Sequence, residues 1–330
     1  MRPRDVVRDA VDSALEFSVV GSFSRVGFEV RRRLDHWPTH YSRLDGEVAV
    51  VTGASSGLGR EVATSLAQLG VHVIMIVRDA TRGSQVRDDI IARTGNSAVE
   101  ILVADLGDLD SVRAAAAQLR RFGAIHVLVH NAGSLQRTRE VGAQGIELTT
   151  VVHLIAPYLL TQLVTAQLES GHARVIWVTS GGMYSQPLEV DALEMGVEDY
   201  DGVRAYARVK RAQVSLVGRW APDLVAQGVT MVAMHPGWAD TPGVRRSLPA
   251  FRRLLGPLLR SSAQGADTIV WLATTPEPLS PGGLWLDRRP RPVHRLARTR
   301  RSDTPLQRER LWQYCASRSG AVGRGGGSDS

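Results

Sequence analysis

Between residues 47 and 288, short segments rich in valine and isoleucine alternate with longer stretches of helical periodicity. The short segments are apolar at successive positions, which is typical of strands buried on both faces of a sheet. Strands joined through helices form parallel sheets, because each crossover returns the chain to the same end of the sheet. The sequence therefore predicts an α/β fold with a doubly wound parallel sheet.

No linker interrupts this alternation, which indicates a single domain over residues 47–288. Seven strands are predicted, at Val48–Thr52, His72–Val77, Val99–Ala104, His126–His130, Arg174–Thr179, Val229–His235 and Leu284–Leu286. The helices predicted between them include Leu58–Leu69, Ser111–Arg121, Val203–Ala226 and Gln264–Thr274.

Two extensions flank the domain. In residues 1–46, one helical stripe is formed by Val7, Ala10, Val11, Ala14 and Leu15, and a second by Phe23, Val26, Val30 and Leu34. Such amphipathic helices could lie on an anionic bilayer or clamp across the globular body. Residues 289–330 form an Arg-rich tail, with a last helix expected over Leu306–Tyr314 and a glycine-rich end expected to be disordered.

Charge and cysteine content limit the partners and the location expected for this chain. The formal net charge is +7, but the arginines concentrate at the two ends without interleaved aromatic residues, so nucleic acid is not an expected partner. No segment approaches the roughly 18–20 apolar residues of a membrane span, no secretory signal is visible, and no metal site is predicted. Cys315 is the only cysteine, which favours a reducing, cytoplasmic location, with peripheral contact at the inner face of a membrane left open.

A glycine-rich loop follows the first predicted strand directly and opens a helix. It reads TGASSGLG over residues 52–59. Glycines here let the backbone turn tightly and approach a pyrophosphate, which then meets the free N–H groups of the helix N-terminus. Because the loop lies between a strand and a helix, it predicts a Rossmann-type dinucleotide site and not a plain turn. The predicted contacts come from Thr52, Gly53, Ser55, Ser56, Gly57, Leu58 and Gly59.

The end of the second strand bears on the choice between NAD(H) and NADP(H). An acidic residue there would bind an NAD ribose, whereas this chain has Val77 followed by Arg78. A guanidinium can pair with a 2′-phosphate in bidentate geometry, and Arg60 on the first helix could assist it. We therefore expect NADP(H) to be preferred over NAD(H), although Arg78 could also be a surface cation that caps the strand.

Two further strand ends complete the predicted cofactor site. Asp105 and Leu106 close the third strand, where a carboxylate can accept a hydrogen bond from the adenine amino group. Asn131, Ala132 and Gly133 close the fourth strand, where small residues let a cofactor lie against the sheet.

Lys210 is the only lysine among the 40 basic residues, and it lies four residues after Tyr206. On a helix this spacing puts the phenol and the ammonium on the same face, one turn apart. A compact ammonium can hold a phenol near ionisation and grip a ribose, for which a broad guanidinium fits poorly. The pair therefore predicts that Tyr206 and Lys210 take part in catalysis or ligand binding.

These motifs, in this order, resemble the short-chain dehydrogenase/reductases over about Gly46 to Asp287. The matching residues are TGASSGLG at 52–59, Asp105 and Leu106, Asn131 to Gly133, Ser180, Tyr206 with Lys210, and the run from Pro236 to Thr241. The stretches Val178–Met183, Met234–Val244 and Ala263–Asp267 look most like a subgroup related to retinol dehydrogenases, called dehydrogenase/reductase family member twelve.

The resemblance implies an oxidoreductase and gives roles to particular residues. Tyr206 is the acid/base, and Lys210 with the oxidised nicotinamide brings its pKa down from the ordinary value of about 10. Ser180 donates a hydrogen bond to the substrate oxygen. Lys210 also binds the nicotinamide ribose, and Thr241 with the Pro236–Gly237 turn holds the carboxamide. A homodimer or homotetramer is also expected from the resemblance.

One candidate catalytic position departs from the family pattern. The family has an Asn on the helix after the fourth strand, and this chain has His153 there. In the family that residue supports a helix distortion whose backbone carbonyl orders a water next to the lysine. Pro157 removes a helical N–H and would free the carbonyl of His153, so the water site could survive. Whether His153 takes part in proton relay or fills space and supports the helix is left open.

Residues 242–262 fall where the family covers its substrate. An apolar set recurs at helical spacing, comprising Phe251, Leu254, Leu255, Leu258 and Leu259, with Arg252, Arg253 and Arg260 on other faces. Gly256 and Pro257 are expected to break this lid into two short helices. An apolar lid rimmed by arginine suggests a lipophilic substrate, although the leucines could also pack onto the core of the lid itself.

The sequence thus predicts an NADP(H)-dependent short-chain oxidoreductase that interconverts a lipophilic carbonyl and its alcohol by hydride transfer, with Tyr206 as acid/base. The alternative is a catalytically weak NADP(H)-binding sensor or scaffold protein, for which His153 is the direct support. The sequence gives neither the identity of the substrate nor the physiological direction.

Overall fold

The computed structural model describes residues 3–38, 41 and 43–320. These residues form an eight-stranded sheet with the order β3-β2-β1-β4-β5-β6-β7-β8. The strands are β1 (Val48–Thr52), β2 (His72–Val77), β3 (Val99–Val103), β4 (Val127–His130), β5 (Arg174–Val178), β6 (Thr230–Met234), β7 (Leu284–Leu286) and β8 (Arg289–Arg291). All neighbouring pairs are parallel except β7 and β8. The predicted doubly wound α/β fold is therefore confirmed.

Helices cover both faces of the sheet. They are α1 (Pro3–Phe17), α2 (Val19–Phe23), α3 (Arg25–Leu34), α4 (Gly57–Gln68), α5 (Ala80–Thr94), α6 (Leu109–Leu119), α7 (Leu148–Thr150), α8 (Ala156–Leu163), α9 (Thr165–Ser170), α10 (Gly202–Val225), α11 (Pro242–Ser247), α12 (Pro249–Leu255), α13 (Ser262–Thr274), α14 (Ala297–Ser302) and α15 (Pro305–Ser319). One layer contains α4, α5 and α13, and the other contains α6, α8 and α10. Each layer packs onto its own apolar cluster, so both faces of every central strand are buried.

The segment after β7 is folded through residue 319. Residues 289–291 form β8, which pairs antiparallel with β7, and α15 packs against α8 and α10. The predicted last helix thus lies within a longer one, Pro305–Ser319, that buries Leu311, Trp312 and Cys315. The glycine-rich end that was expected to be disordered lies outside the described residues.

The N-terminal helices dock through charged side chains and through the buried rings of Phe23 and Phe28, of which only Phe23 belongs to the predicted apolar stripes. On α1, Val7 is 61% exposed, whereas Asp12 is buried. Of the second predicted stripe only Phe23 is buried, and Val26 on α3 is 47% exposed. Of the two placements that the sequence left open, the structure shows the helices against the globular body, where α1 presents its carboxylates, and not its valines, to a group of arginines.

Three buried charged side chains join the N-terminal helices to the sheet. Asp287, directly after β7, accepts hydrogen bonds from Arg31 Nη1 at 2.6 Å and from Arg260 Nη1 at 2.6 Å. Arg31 also donates to Asp12 at 2.7 Å. Burial alone would raise the pKa of Asp287, but Arg260 and Arg31 outweigh it and hold that pKa below its ordinary value. Removing one partner of such a group typically lowers the free energy of unfolding by about 3–5 kcal/mol, because the remaining charge is left buried without a partner.

No helix in the described part of the chain is long and apolar enough to cross a membrane.

Candidate active site

One large cavity lies at the carboxyl ends of the parallel strands. Its volume is about 870 Å³, and it is lined by residues that follow six different strands, β1 to β6. The order of the strands reverses between β1 and β4, and such a switch point is where open α/β sheets bind ligands. The predicted site residues are nearly all on its wall: Gly53, Ser55, Ser56, Gly57, Leu58, Arg78, Asp105, Leu106, Asn131, Ala132, Gly133, His153, Ser180, Tyr206, Lys210, Pro236, Gly237 and Thr241.

The glycine loop forms one end of the cavity. Gly53 and Gly57 have φ of +67° and +55°, a left-handed conformation that favours glycine. A Cβ on Gly53 would lie 2.7 Å from the Cα of Ala132, so the two loops approach more closely than a side chain allows. The N-terminus of α4 opens from this loop, and its free N–H groups suit a pyrophosphate. The loop therefore fits a dinucleotide.

Thr52 and Gly59 do not line the cavity, but they contact Asn131, which does. The Thr52 hydroxyl accepts hydrogen bonds from the backbone N–H groups of Asn131 and Ala132, both at 3.0 Å. Asn131 Nδ2 donates back to the carbonyl of Thr52 at 2.9 Å. Gly59 lies against the Asn131 side chain, where a Cβ would not fit. Both were predicted as direct contacts, and in the structure they hold the β1 and β4 loops together.

Arg78 is exposed at the rim of the cavity beyond β2. In the described part of the chain no ion pair of Arg78 is found, whereas nearby Arg60 and Arg87 pair with Asp89 and Asp88. Arg60 does not line the cavity and pairs with Asp89, so its assistance to Arg78 stays a prediction. Arg82, in the first turn of α5, does line it. Helical spacing could not have indicated this second cation, because Arg78 precedes Asp79, the N-cap of α5.

Ser180, Tyr206 and Lys210 converge at the other end of the cavity. Tyr206 and Lys210 lie one turn apart on α10, with Lys210 Nζ 5.4 Å from the centre of the Tyr206 ring. Lys210 Nζ donates to the carbonyl of Val178 at 2.8 Å, which ties the ammonium to the end of β5. Ser180 follows β5, and its hydroxyl accepts the N–H of Gly182 at 3.3 Å.

Burial dominates the protonation of the tyrosine and the lysine. It raises the pKa of Tyr206 to about 12, and a hydrogen bond with Ser180 acts in the opposite direction. It also lowers the pKa of Lys210 to about 7. Both shifts favour the neutral form of a buried group. The expected lowering of the Tyr206 pKa by Lys210 together with the oxidised nicotinamide stays a prediction.

His153 lies in a helix distortion, as the resemblance implied, and its carbonyl already accepts one hydrogen bond of the two that it can accept. Residues Val151–Ile155 form a π-helical turn, and Gln213 Nε2 donates to the His153 carbonyl at 2.6 Å. Sequence reasoning missed Gln213, although it lies seven residues after Tyr206 on the same face of α10. The His153 ring packs edge-on against Tyr206 at 5.3 Å. Burial lowers its pKa to about 3, with the Lys210 charge contributing, so the ring is neutral.

The end of the cavity beside α11 and α12 presents both apolar and polar side chains. The apolar ones are Leu135, Val203, Trp238, Leu248 and Phe251, and the polar ones include Gln136, Glu140, Arg246 and Ser247. The lid consists of α11, α12 and a short 3₁₀ turn at Gly256–Leu258, so it breaks where Gly256 and Pro257 predict.

The exposure of the lid side chains differs from the prediction, in which the leucines shared one apolar face and the arginines lay on other faces. Leu254 is 80% exposed, whereas Leu259 is buried. Arg260, expected on an exposed face, is 1% exposed because Asp287 and the carbonyls of α2 bind its guanidinium.

Comparison with known proteins agrees with this geometry. Residues 47–250 match the family model of the short chain dehydrogenases. Dehydrogenase/reductase SDR family member 12 from Bos taurus is 38% identical over 272 residues, which cover 82% of this chain and 85% of that protein. The chain belongs to the short-chain dehydrogenases. The protein is accordingly a short-chain oxidoreductase, and the match of the family model begins only after helices α1 to α3.

Two further members of the short-chain dehydrogenase group are similar. Retinol dehydrogenase 12 from Bos taurus is 35% identical over 244 residues, covering 72% of this chain and 77% of the relative. The crystal structure of a Beutenbergia cavernae protein with NADP bound at low occupancy has a TM-score of 0.58 and 28% identity, over 70% of this chain and 91% of that one. The predicted resemblance to retinol-dehydrogenase-like enzymes is confirmed.

Proposed function

We propose that this short-chain dehydrogenase is an NADP(H)-dependent reductase that converts a lipophilic carbonyl compound into its alcohol. The observation that carries the proposal is the continuity of one cavity. At one end lies Arg78, which has no ion pair within the described residues, and at the other lie Ser180, Tyr206 and Lys210. A dinucleotide that reaches from one end to the other carries its reactive ring to the hydroxyl groups.

The residues at the phosphate end favour NADP(H). The glycine loop and the N-terminus of α4 would hold the pyrophosphate, and Arg78 with Arg82 would pair with a 2′-phosphate. Val77, at the position of the usual ribose-binding acid, has an aliphatic side chain that packs inward at 2% exposure. The Beutenbergia cavernae relative, an NAD(P) dependent dehydrogenase with NADP bound at low occupancy, is compatible with either cofactor.

The residues at the catalytic end suit reduction. NADPH supplies a hydride to the carbonyl carbon when it is bound. Ser180 would donate a hydrogen bond to the carbonyl oxygen, and Tyr206 would give that oxygen its proton. Because burial raises the pKa of Tyr206 to about 12, the phenol holds this proton near neutral pH. Lys210 would bind the ribose, and Pro236, Gly237 and Thr241 would orient the nicotinamide.

The alternative is a sensor or scaffold protein that binds NADP(H) with little turnover. One observation favours it, since Gln213 takes one of the two lone pairs of the His153 carbonyl and so competes with a water beside Lys210. A weakened relay would slow the return of a proton to Tyr206 without affecting cofactor binding. A catalytic role for His153 stays a prediction.

Turnover of a graded set of aldehydes and ketones tests the proposal. Oxidation of NADPH is followed by absorbance for compounds that share one carbonyl group and differ in the length of their apolar part. Each buried methylene contributes about 0.8 kcal/mol, so three added methylenes should raise kcat/KM by on the order of 10-fold or more. Equal kcat/KM values for all compounds of the set would contradict the proposal of a lipophilic substrate. Binding of NADPH without turnover of any compound would favour the sensor or scaffold protein.

A further inference from the structure

We propose that the N-terminal helices complete the active site, and that Phe23 positions both the catalytic serine and the turn that holds the nicotinamide. This inference rests on the proposed reaction and extends it to residues outside the family match. Phe23 is a positioning residue, because it does not line the cavity.

The Phe23 ring fills a notch between the loops that follow β5 and β6. Its exposure is 3%, and its centre lies 4.7 Å from that of His235 and 5.9 Å from that of Trp238. On the other side it meets Gly181, where a Cβ would lie 2.9 Å from Phe23 Cδ2. Gly181 directly follows Ser180, so the ring separates the catalytic serine from the Pro236–Trp238 turn at a fixed distance.

Backbone hydrogen bonds hold the same segment in place. Trp238 donates its N–H to the carbonyl of Phe23 at 2.8 Å. Arg260 Nε donates to that carbonyl at 2.9 Å, and Arg260 Nη2 donates to the carbonyl of Ser22 at 2.9 Å. The backbone N–H of Arg260 in turn donates to the carbonyl of Trp238 at 2.8 Å. The junction of α2 and α3 is therefore bonded both to the nicotinamide turn and to the end of the lid.

Buried charges keep the N-terminal helices docked. Arg31 on α3 and Arg260 at the end of the lid share Asp287, and all three side chains are at most 1% exposed. Undocking α2 together with α3 would expose Phe23 and leave Asp287 with one guanidinium instead of two. Because this separation is costly, the helices act as a permanent part of the fold.

The effect of Phe23 reaches the substrate wall through an aromatic series. Trp238 lies edge-on between Phe23 and Phe251 of α12, with the Phe251 ring centre 5.4 Å away. Trp238 and Phe251 both line the cavity. Loss of the Phe23 ring would let the serine loop, the nicotinamide turn and the lid shift together.

The test compares Phe23→Ala with Phe17→Ala, whose side chain lies in the same extension but is 95% exposed. Displacement of reacting groups by about 1 Å can cost 10²-fold, so Phe23→Ala should lower kcat by on the order of 10–100-fold. It should weaken NADPH, which spans both ends of the cavity, but leave the affinity for 2′,5′-ADP, which occupies the Arg78 end alone, unchanged. Phe17→Ala should match the wild-type protein, and Phe23→Leu should restore part of the loss.

Two outcomes overturn the inference. One is a folded Phe23→Ala variant with wild-type kcat and NADPH affinity, and the other is an equal loss of NADPH and 2′,5′-ADP binding, which would mean general destabilisation. If Phe23→Ala does not fold, Phe23→Leu carries the same comparison.

Hydrogen exchange at the amides of residues 181–185 and 238 requires no ligand, so it separates this inference from the proposed reaction. Faster exchange in Phe23→Ala than in Phe17→Ala supports the positioning role even if the wild-type protein reduces no carbonyl. Equal exchange in the two variants contradicts it.

Discussion

Replacing Tyr206 with phenylalanine is expected to lower the rate of carbonyl reduction by about 10³-fold, while the affinity for NADPH changes little. The phenol is the proton donor in the proposed reaction, and its hydroxyl is the only group that the substitution removes. The ring stays, so its edge contact with His153 and its position beside Lys210 are kept. Steady-state turnover and a fluorescence titration with NADPH measure the two effects separately.

Tyr200→Phe is the matched control for this substitution. The Tyr200 hydroxyl hydrogen-bonds Thr149 at 3.2 Å, and the residue does not line the cavity. We expect its turnover to stay close to that of the wild-type protein. A Tyr206→Phe variant that retains turnover within 10-fold of the wild-type rate would sink the proposed role of Tyr206, because another group would then supply the proton.

Replacing Arg78 with alanine is expected to weaken NADPH binding much more than NADH binding. A charge-assisted hydrogen bond contributes about 1.5–3 kcal/mol, so the dissociation constant for NADPH should rise by roughly 10–150-fold. NADH lacks the 2′-phosphate and should lose little. Titration of the variant with each cofactor, following the nicotinamide fluorescence, measures the difference.

Arg87→Ala provides the control for the loss of one positive charge. Arg87 lies two turns along α5 from the helix N-terminus, pairs with Asp88 and does not line the cavity. Its removal should leave both affinities nearly unchanged. Equal losses of NADPH and NADH in Arg78→Ala would refute the assignment of Arg78 to a 2′-phosphate, with Arg82 as the next cation to test.

The sequence predicted the parallel sheet well because its strands are short, apolar and bounded by clear loops. Val48–Thr52 and His72–Val77 were predicted with the bounds that the structure has. Strand β8 was missed because it is short, polar and contains Pro290, and it forms only by pairing with β7 at the edge of the sheet. Motif order likewise predicted the residues on the wall of the cavity, since they follow consecutive strands.

The role of the N-terminal helices could not be predicted in the same way. An arginine in a helical pattern usually indicates a side chain exposed to solvent. Arg31 and Arg260 are nevertheless buried, because Asp287 accepts hydrogen bonds from both. Asp287 lies more than 250 residues from Arg31 in the sequence. Gln213 was missed for a similar reason, since its hydrogen bond to the His153 carbonyl joins two helices that are distant in sequence. Such contacts depend on tertiary packing, which periodicity and spacing do not encode.

Deuterium transfer tests most directly whether this cavity is the site of an NADPH-dependent reduction. NADPH that carries deuterium at both positions of C4 of the nicotinamide is incubated with the protein and a lipophilic aldehyde or ketone, and the alcohol is analysed by mass spectrometry. The account predicts one deuterium on the former carbonyl carbon, and loss of this label in Tyr206→Phe. Tight NADPH binding without labelled alcohol from any compound of the set would contradict it and favour the sensor or scaffold protein.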